Sequence, residues 1–143
     1  MRLELTKRAD YAIRAVLALG ESGPAPVSVR RIAADWSVPV RFLPRVMGDL
    51  VAAGLIVGTE GRNGGYRLAR PASAISILDV VEAVEGDSKR RICILRGGPC
   101  QLNGVCDVHE VFAAAEAETL RELSAATVER LIADRATRRA RGA

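Results

Sequence analysis

Apolar positions recur at helical spacing from the start of the chain. Thr6 stands as a cap for a helix running to Glu21, with Ala9, Ile13, Val16, Leu17 and Gly20 on one face and Lys7, Asp10 and Arg14 on the other. Ser22, Gly23, Pro24 and Pro26 stop it. Ser28 caps a short second helix whose apolar edge is Ile32, Ala33 and Trp36, which places Trp36 in the core, and Ser37-Val38-Pro39 then makes a tight turn. A third helix is predicted to reach Ala53, with Leu43, Val46, Met47, Leu50 and Val51 facing inward, Arg41 and Arg45 facing outward, and Gly54 as its C-cap. Leu55 to Thr59 and Tyr66 to Ala69 read as strands joined by the hairpin Glu60-Gly61-Arg62-Asn63-Gly64-Gly65. Helix, helix, turn, helix, hairpin is the order of a winged helix-turn-helix.

The second half has a different texture. Ser76 with Asp79 three residues on is a capping box for a fourth helix that ends near Glu85 and Gly86. From Gly86 to Cys106 no periodicity is visible over 21 residues, and a loop of that length inside a compact domain needs something to hold it. Val108, Phe112, Ala115, Thr119 and Leu123 then recur at spacings of 4, 3, 4 and 4. With Val111, that stripe is more than a small winged domain needs for its own core. Helix 107–124 is therefore read as a dimerisation helix, with small Ala114 and Ala115 allowing close approach of a second copy. Thr127 opens a final helix bearing Val128, Leu131 and Ile132, and the arginine-rich tail from Arg135 to Ala143 is expected to fray. The fold class expected is mainly α: a DNA-binding winged domain with a two-stranded wing over 1–75, a linking helix and cysteine loop over 76–106, and a dimerisation helix, final helix and basic tail over 107–143.

Composition narrows the function classes. With 49% hydrophobic and 27% charged residues among 143, the chain can bury a core. No apolar run approaches the ~20 residues of a membrane helix, and the start lacks the features of a signal peptide, so a cytoplasmic protein with no membrane partner is expected. Residues 1–70 carry 11 Lys/Arg against 6 Asp/Glu, whereas 71–143 carry 10 against 11. The basic half is the half with the helix-turn-helix pattern, which points to double-stranded DNA. Arg41 and Arg45 would meet the major groove, Arg62 and Asn63 at the wing tip the minor groove, and Arg30 near the start of the second helix completes the candidate DNA-binding set. Enzyme signatures such as G-x-x-x-x-G-K-[ST], G-x-S-x-G and H-E-x-x-H are absent, so no catalytic role is expected.

Cys93, Cys100 and Cys106 are separated by six and then five residues, amid Pro99 and several glycines. Three thiols in a cytoplasmic chain suggest metal or redox chemistry over a disulfide framework. Spacing alone leaves an iron-sulfur cluster, a zinc site and free thiols open; zinc motifs usually pair their cysteines more closely. His109, the only histidine, follows Cys106 by three residues.

Leu5-Thr6-Lys7 with Asp10-Tyr11-Ala12, Arg62-Asn63-Gly64-Gly65-Tyr66-Arg67-Leu68, Asp79 to Gly86 and the three-cysteine loop together resemble the dimeric winged-helix iron-sulfur regulators that include IscR, NsrR and RirA. The resemblance spans about residues 1–133 in matching order. It implies a homodimeric transcription regulator, a repressor, that binds a palindromic operator and senses iron status, redox stress or nitric oxide through a cluster on Cys93, Cys100 and Cys106. In IscR-like members a histidine at the place of His109 is the fourth ligand of a 2Fe-2S cluster. In NsrR-like members a first-helix aspartate from the partner subunit, here matched by Asp10, completes a 4Fe-4S cluster. Taken without the resemblance, Asp10 has the alternative of an i, i+4 pair with Arg14, and His109 that of an exposed helix-start residue. One departure is Pro44, which stands in the recognition helix where the family has a polar residue; proline there is expected to remove a helix hydrogen bond and bend the first turns. The alternatives are a cluster-free regulator switched by thiol oxidation or holding zinc, and a small iron-sulfur electron carrier.

Overall fold

The computed structural model describes residues 4–86 and 106–142. Helix α1 (Lys7–Ser22) begins at Thr6, whose hydroxyl accepts the Ala9 N–H at 3.1 Å. The same hydroxyl donates to Glu85 Oε1 at 2.5 Å, tying the start of α1 to the end of α4 (Ile77–Glu85). Helix α2 (Val29–Trp36) starts at Ser28 and closes on Ser37, which adopts a left-handed φ of 53°. Small polar residues tolerate that conformation better than branched ones. A 3-10 turn, Val40–Phe42, leads into α3 (Leu43–Ala52).

Strands β1 (Ile56–Thr59) and β2 (Gly65–Leu68) pair antiparallel, Ile56 opposite Leu68 and Thr59 opposite Gly65. The wing has one rung the sequence did not reveal. Val27 exchanges both backbone hydrogen bonds with Tyr66, at 2.8 and 2.9 Å, so the stretch before α2 braces the outer edge of β2. A Cβ on Gly65 would lie 2.5 Å from the Val27 carbonyl oxygen, which is why glycine stands there.

Helix α1 is the central element, packed by α4, α3 and α6 (Val128–Arg141). Its alanines at 9, 12, 15 and 18 are buried with Val16 and Leu19, and these small side chains let the neighbours approach on several sides. The buried face is accordingly wider than the expected stripe, and Ile13 and Leu17 are only half-buried. In α3 the core set is Leu43, Val46, Met47 and Leu50, as expected, but Val51 is 43% exposed, because it falls ~40° of helix rotation past Met47, the edge of the buried arc. Truncating a fully buried leucine such as Leu19 or Leu50 to alanine would cost about 2–5 kcal/mol.

The capping box at α4 forms: Ser76 Oγ accepts the Asp79 N–H at 3.1 Å, and the Ser76 N–H donates to Asp79 Oδ2 at 2.8 Å. Beside it, Ile77 N–H donates to the Ala126 carbonyl and Val128 N–H to that of Ile75, at 2.8 and 2.9 Å. These bonds stitch the start of α4 to the start of α6, so one core runs through position 75 and includes Val128.

The expectation of a frayed tail is corrected. α6 continues to Arg141, because Val128 and Ile132 sit against Gly20 and the Arg135 guanidinium covers Trp36 at 3.7 Å from the ring centroid. Arg135 also pairs with Glu21 at 3.6 Å. Trp36 packs at the edge of the core, half-buried, with Arg135 over its ring.

Candidate nucleic-acid interface and cysteine segment

The side of α3 opposite its buried face presents Pro44, Arg45 and Gly48 to solvent, continued by Val40 and Arg41 from the 3-10 turn. Arg41 and Arg45 were expected on one helix; Arg41 instead sits in the turn before α3. Its guanidinium stacks 4.8 Å from the centre of the Phe42 ring, and that ring lies 5.5 Å from Tyr11 of α1. Arg41 is thus steadied from behind by an aromatic pair anchored on the central helix. Arg8 of α1 forms an ion pair with Asp49, which fixes α3 and occupies the carboxylate nearest the basic face in sequence.

Pro44 does not act as the sequence suggested. α3 begins at Leu43, so Pro44 lies in the first turn, where the backbone N–H has no partner within the helix. No hydrogen bond within the helix is lost. The 3-10 turn after Pro39 is the feature that allows this start.

At the wing, Gly64 N–H donates to the Gly61 carbonyl at 3.0 Å, closing a turn with Arg62 and Asn63 at its apex. Both are exposed. Arg30, Arg45 and Arg62 make no side-chain hydrogen bond or ion pair among the described residues. Arg31 is engaged with Asp35 at 3.4 Å. The arginines chosen from sequence are therefore among those left for a polyanion, except that Arg41 carries its ring contact.

Cys93 and Cys100 lie outside the described residues. Cys106 is a half-buried free thiol three residues before α5 (His109–Ala125). The His109 N–H donates to the Cys106 carbonyl at 3.0 Å, so the third cysteine and the only histidine share one turn. α5 has no side-chain N-cap, and the open N–H groups of a helix start favour negative charge near them. Asp10 is paired with Arg14 Nε at 3.0 Å, and Arg14 also donates to the Trp36 carbonyl at 3.2 Å. Among the described residues no group of three or more metal-ligating side chains comes together.

α5 buries none of its residues within the chain, and Val111 is 69% exposed. Leu123, counted in the free stripe from sequence, packs on the chain's own core. On the polar side Arg121 donates to Glu118 and holds its carboxyl below the ordinary carboxylate range. No helix among the described residues is long and apolar enough to cross a membrane.

Comparison with known proteins agrees with this arrangement. The chain is 33% identical over 139 residues to the HTH-type transcriptional regulator NsrR of Geobacillus kaustophilus, covering 96% of this chain and 95% of that protein. It is 31% identical over 131 residues to protein aau3 of Rhizobium meliloti, covering 91% and 85%. Among solved structures, CymR, the global cysteine regulator of B. subtilis, superposes with a TM-score of 0.76 at 22% identity, covering 92% of this chain and 98% of that one. IscR of T. potens gives 0.73 at 23%, covering 92% and 88%. At these identities the two structures speak for the winged-helix fold. The family model Rrf2, an iron-dependent transcriptional regulator, matches residues 5–134. Its members are regulators and not enzymes, which leaves no place for the electron-carrier alternative. The chain belongs to the Rrf2 family of transcriptional regulators.

Proposed function

We propose that the protein is a homodimeric repressor that reads a palindromic operator and carries an iron-sulfur cluster on Cys93, Cys100 and Cys106. The observation that carries the cluster reading is the shared turn of Cys106 and His109 at the uncapped start of α5. Three thiolates with an imidazole or carboxylate form a donor set suited to such a cluster, and the 33% identity to an NsrR protein supports it. His109 is the fourth ligand of a 2Fe-2S form; Asp10 of a partner subunit is the alternative in a 4Fe-4S form. The cluster supplies sensitivity to iron supply, oxidants or nitric oxide. Residues 1–75 read DNA, 76–106 link the wing to the cysteines, and 107–143 hold the dimer.

A signal at the cysteines alters DNA affinity only as far as it discriminates two arrangements of the reading heads. Anaerobic purification followed by visible spectroscopy and a DNA titration of holo and apo protein tests the reading. Broad visible absorption and a difference in affinity between the two forms are expected. A colourless protein with zinc or bare thiols on metal analysis would replace the cluster by the thiol-switched or zinc alternative, and equal affinities would remove the cluster from the regulation.

A further inference from the structure

The hydrogen-bonding capacity of the recognition face is unusually narrow. At 100° per residue, the exposed arc of α3 runs Val51, Pro44, Gly48, Ala52, Arg45, while Leu43, Val46, Met47 and Leu50 fill the opposite side, and the 3-10 turn before it adds the exposed Val40 and Arg41. That arc carries no Asn, Gln, Ser, Thr or Glu. Asp49 is held by Arg8. Its only base-reading donors are the two guanidiniums. The rest of the face is apolar: Val40 is 52% exposed, Pro44 has neither a backbone N–H to offer nor a polar side chain, and a Cβ at Gly48 would stand in open space.

In the major groove, arginine pairs bidentately with guanine, whereas an apolar side chain finds one apolar feature among the bases, the 5-methyl group of thymine. Resting on the DNA-binding role proposed above, we propose that Val40, seconded by Pro44, is a specificity-determining surface that reads thymine methyl groups beside the guanines read by Arg41 and Arg45. The bare Gly48 lets the α3 backbone settle deep enough for these short side chains to reach the bases. Val40 is placed for this by Pro39, which restarts the chain in the 3-10 turn and leaves Val40 outside the core.

The test uses the full-length protein in the form that binds DNA. An operator is first selected in vitro from random duplexes and then synthesised with single thymines replaced one by one by deoxyuridine, which removes the methyl and leaves the pairing edge unchanged. At one or more positions per half-site, deoxyuridine should weaken wild-type binding about fourfold, the ratio one buried methyl group is worth. In Val40→Ala, whose melting temperature should match wild type because the residue is exposed, that penalty should disappear; Pro44→Ala is the second variant. Uracil operators that bind wild type as tightly as thymine operators would overturn the proposal, as would a penalty that persists in both variants. If selection enriches no sequence at all, the DNA-binding role fails and takes this inference with it, an outcome distinct from enrichment without methyl dependence.

Discussion

The Arg135 guanidinium lies over the ring of Trp36, 3.7 Å from its centroid, and couples the last helix to the end of the first helix of the helix-turn-helix. The same side chain reaches Glu21 at the end of α1 at 3.6 Å, so one residue near the C-terminus touches both α1 and α2. A cation over an indole contributes about 0.5–2 kcal/mol, the larger figure where water is excluded. Arg135 keeps 27% of its side-chain surface, which favours the lower half of that range.

Arg135→Ala is therefore expected to destabilise the fold by about 1 kcal/mol. It should also shift Trp36 emission to the red, because the ring then meets water. Trp36 is the only tryptophan, so urea unfolding followed by fluorescence reads both effects at once. An unchanged spectrum and midpoint would mean that α6 is held by Val128 and Ile132 alone.

The wing offers a second prediction. Gly65→Ala would drive a methyl group to 2.5 Å from the Val27 carbonyl oxygen, a backbone atom that can yield only by opening the Val27–Tyr66 rung. We expect a loss of about 1–3 kcal/mol, as for other overpacked sites, and weaker binding to DNA because the Arg62 turn loses its brace. Amide exchange at Tyr66 should rise in the variant. Wild-type protection at Tyr66 in Gly65→Ala would show that the rung does not depend on the glycine.

The element order, the caps at Thr6, Ser28, Ser76 and Thr127 and most of the core were legible because each depends on neighbours a few residues apart. What escaped depends on distant partners. The tail from Arg135 on shows no apolar stripe, and it is held by partners distant in sequence, among them Trp36, 99 residues earlier, and Glu21. Val27 gives no strand signal because its single rung is defined by Tyr66. Val51 was misassigned since helical periodicity alone does not say where a buried arc ends. Pro44 was read as a defect because the Pro39 break and the 3-10 turn after it shift the helix start. The exposure of Arg45, Arg62 and Asn63 was recoverable from charge and turn chemistry, whereas the aromatic anchoring of Arg41 needed α1 in place.

For the cysteine segment, serine substitutions at Cys93, Cys100 and Cys106 should each abolish or strongly bleach the visible chromophore of the proposed cluster in anaerobic protein. His109→Ala and Asp10→Ala separate the two cluster forms. Loss of colour in the first with retention in the second identifies the 2Fe-2S reading, and the reverse pattern identifies the 4Fe-4S reading. Asp10→Ala also removes the partner of Arg14, so its melting temperature must be followed alongside. A cysteine whose serine variant keeps a full, stable cluster is not a ligand.

The last prediction concerns α5. Leu123, near its C-terminal end, is committed to the chain's own core, whereas Val111 stands 69% exposed, Val108 37%, and Ala114 and Ala115 add only small exposed side chains. The free apolar surface is thus concentrated in the first half of the helix, next to Cys106 and His109. Two copies meeting there about a two-fold axis would bury the valines, with the alanines permitting close backbone approach. They would also bring the cysteine segments near the dimer axis, as a ligand donated between subunits requires. It follows that Val111→Glu should disrupt the proposed dimer with little effect on the fold, since the residue is not among those packed on the core of its own chain. Burying an unpaired carboxylate in an apolar contact costs at least about 3 kcal/mol, or about a hundredfold in dimer dissociation. Sedimentation at micromolar concentration should show monomers of unchanged helicity, and binding to a palindromic operator should weaken while binding to a single half-site is kept. A Val111→Glu protein that remains dimeric would move the interface elsewhere on the molecule, and a monomeric wild type with full operator affinity would remove the dimer from the mechanism.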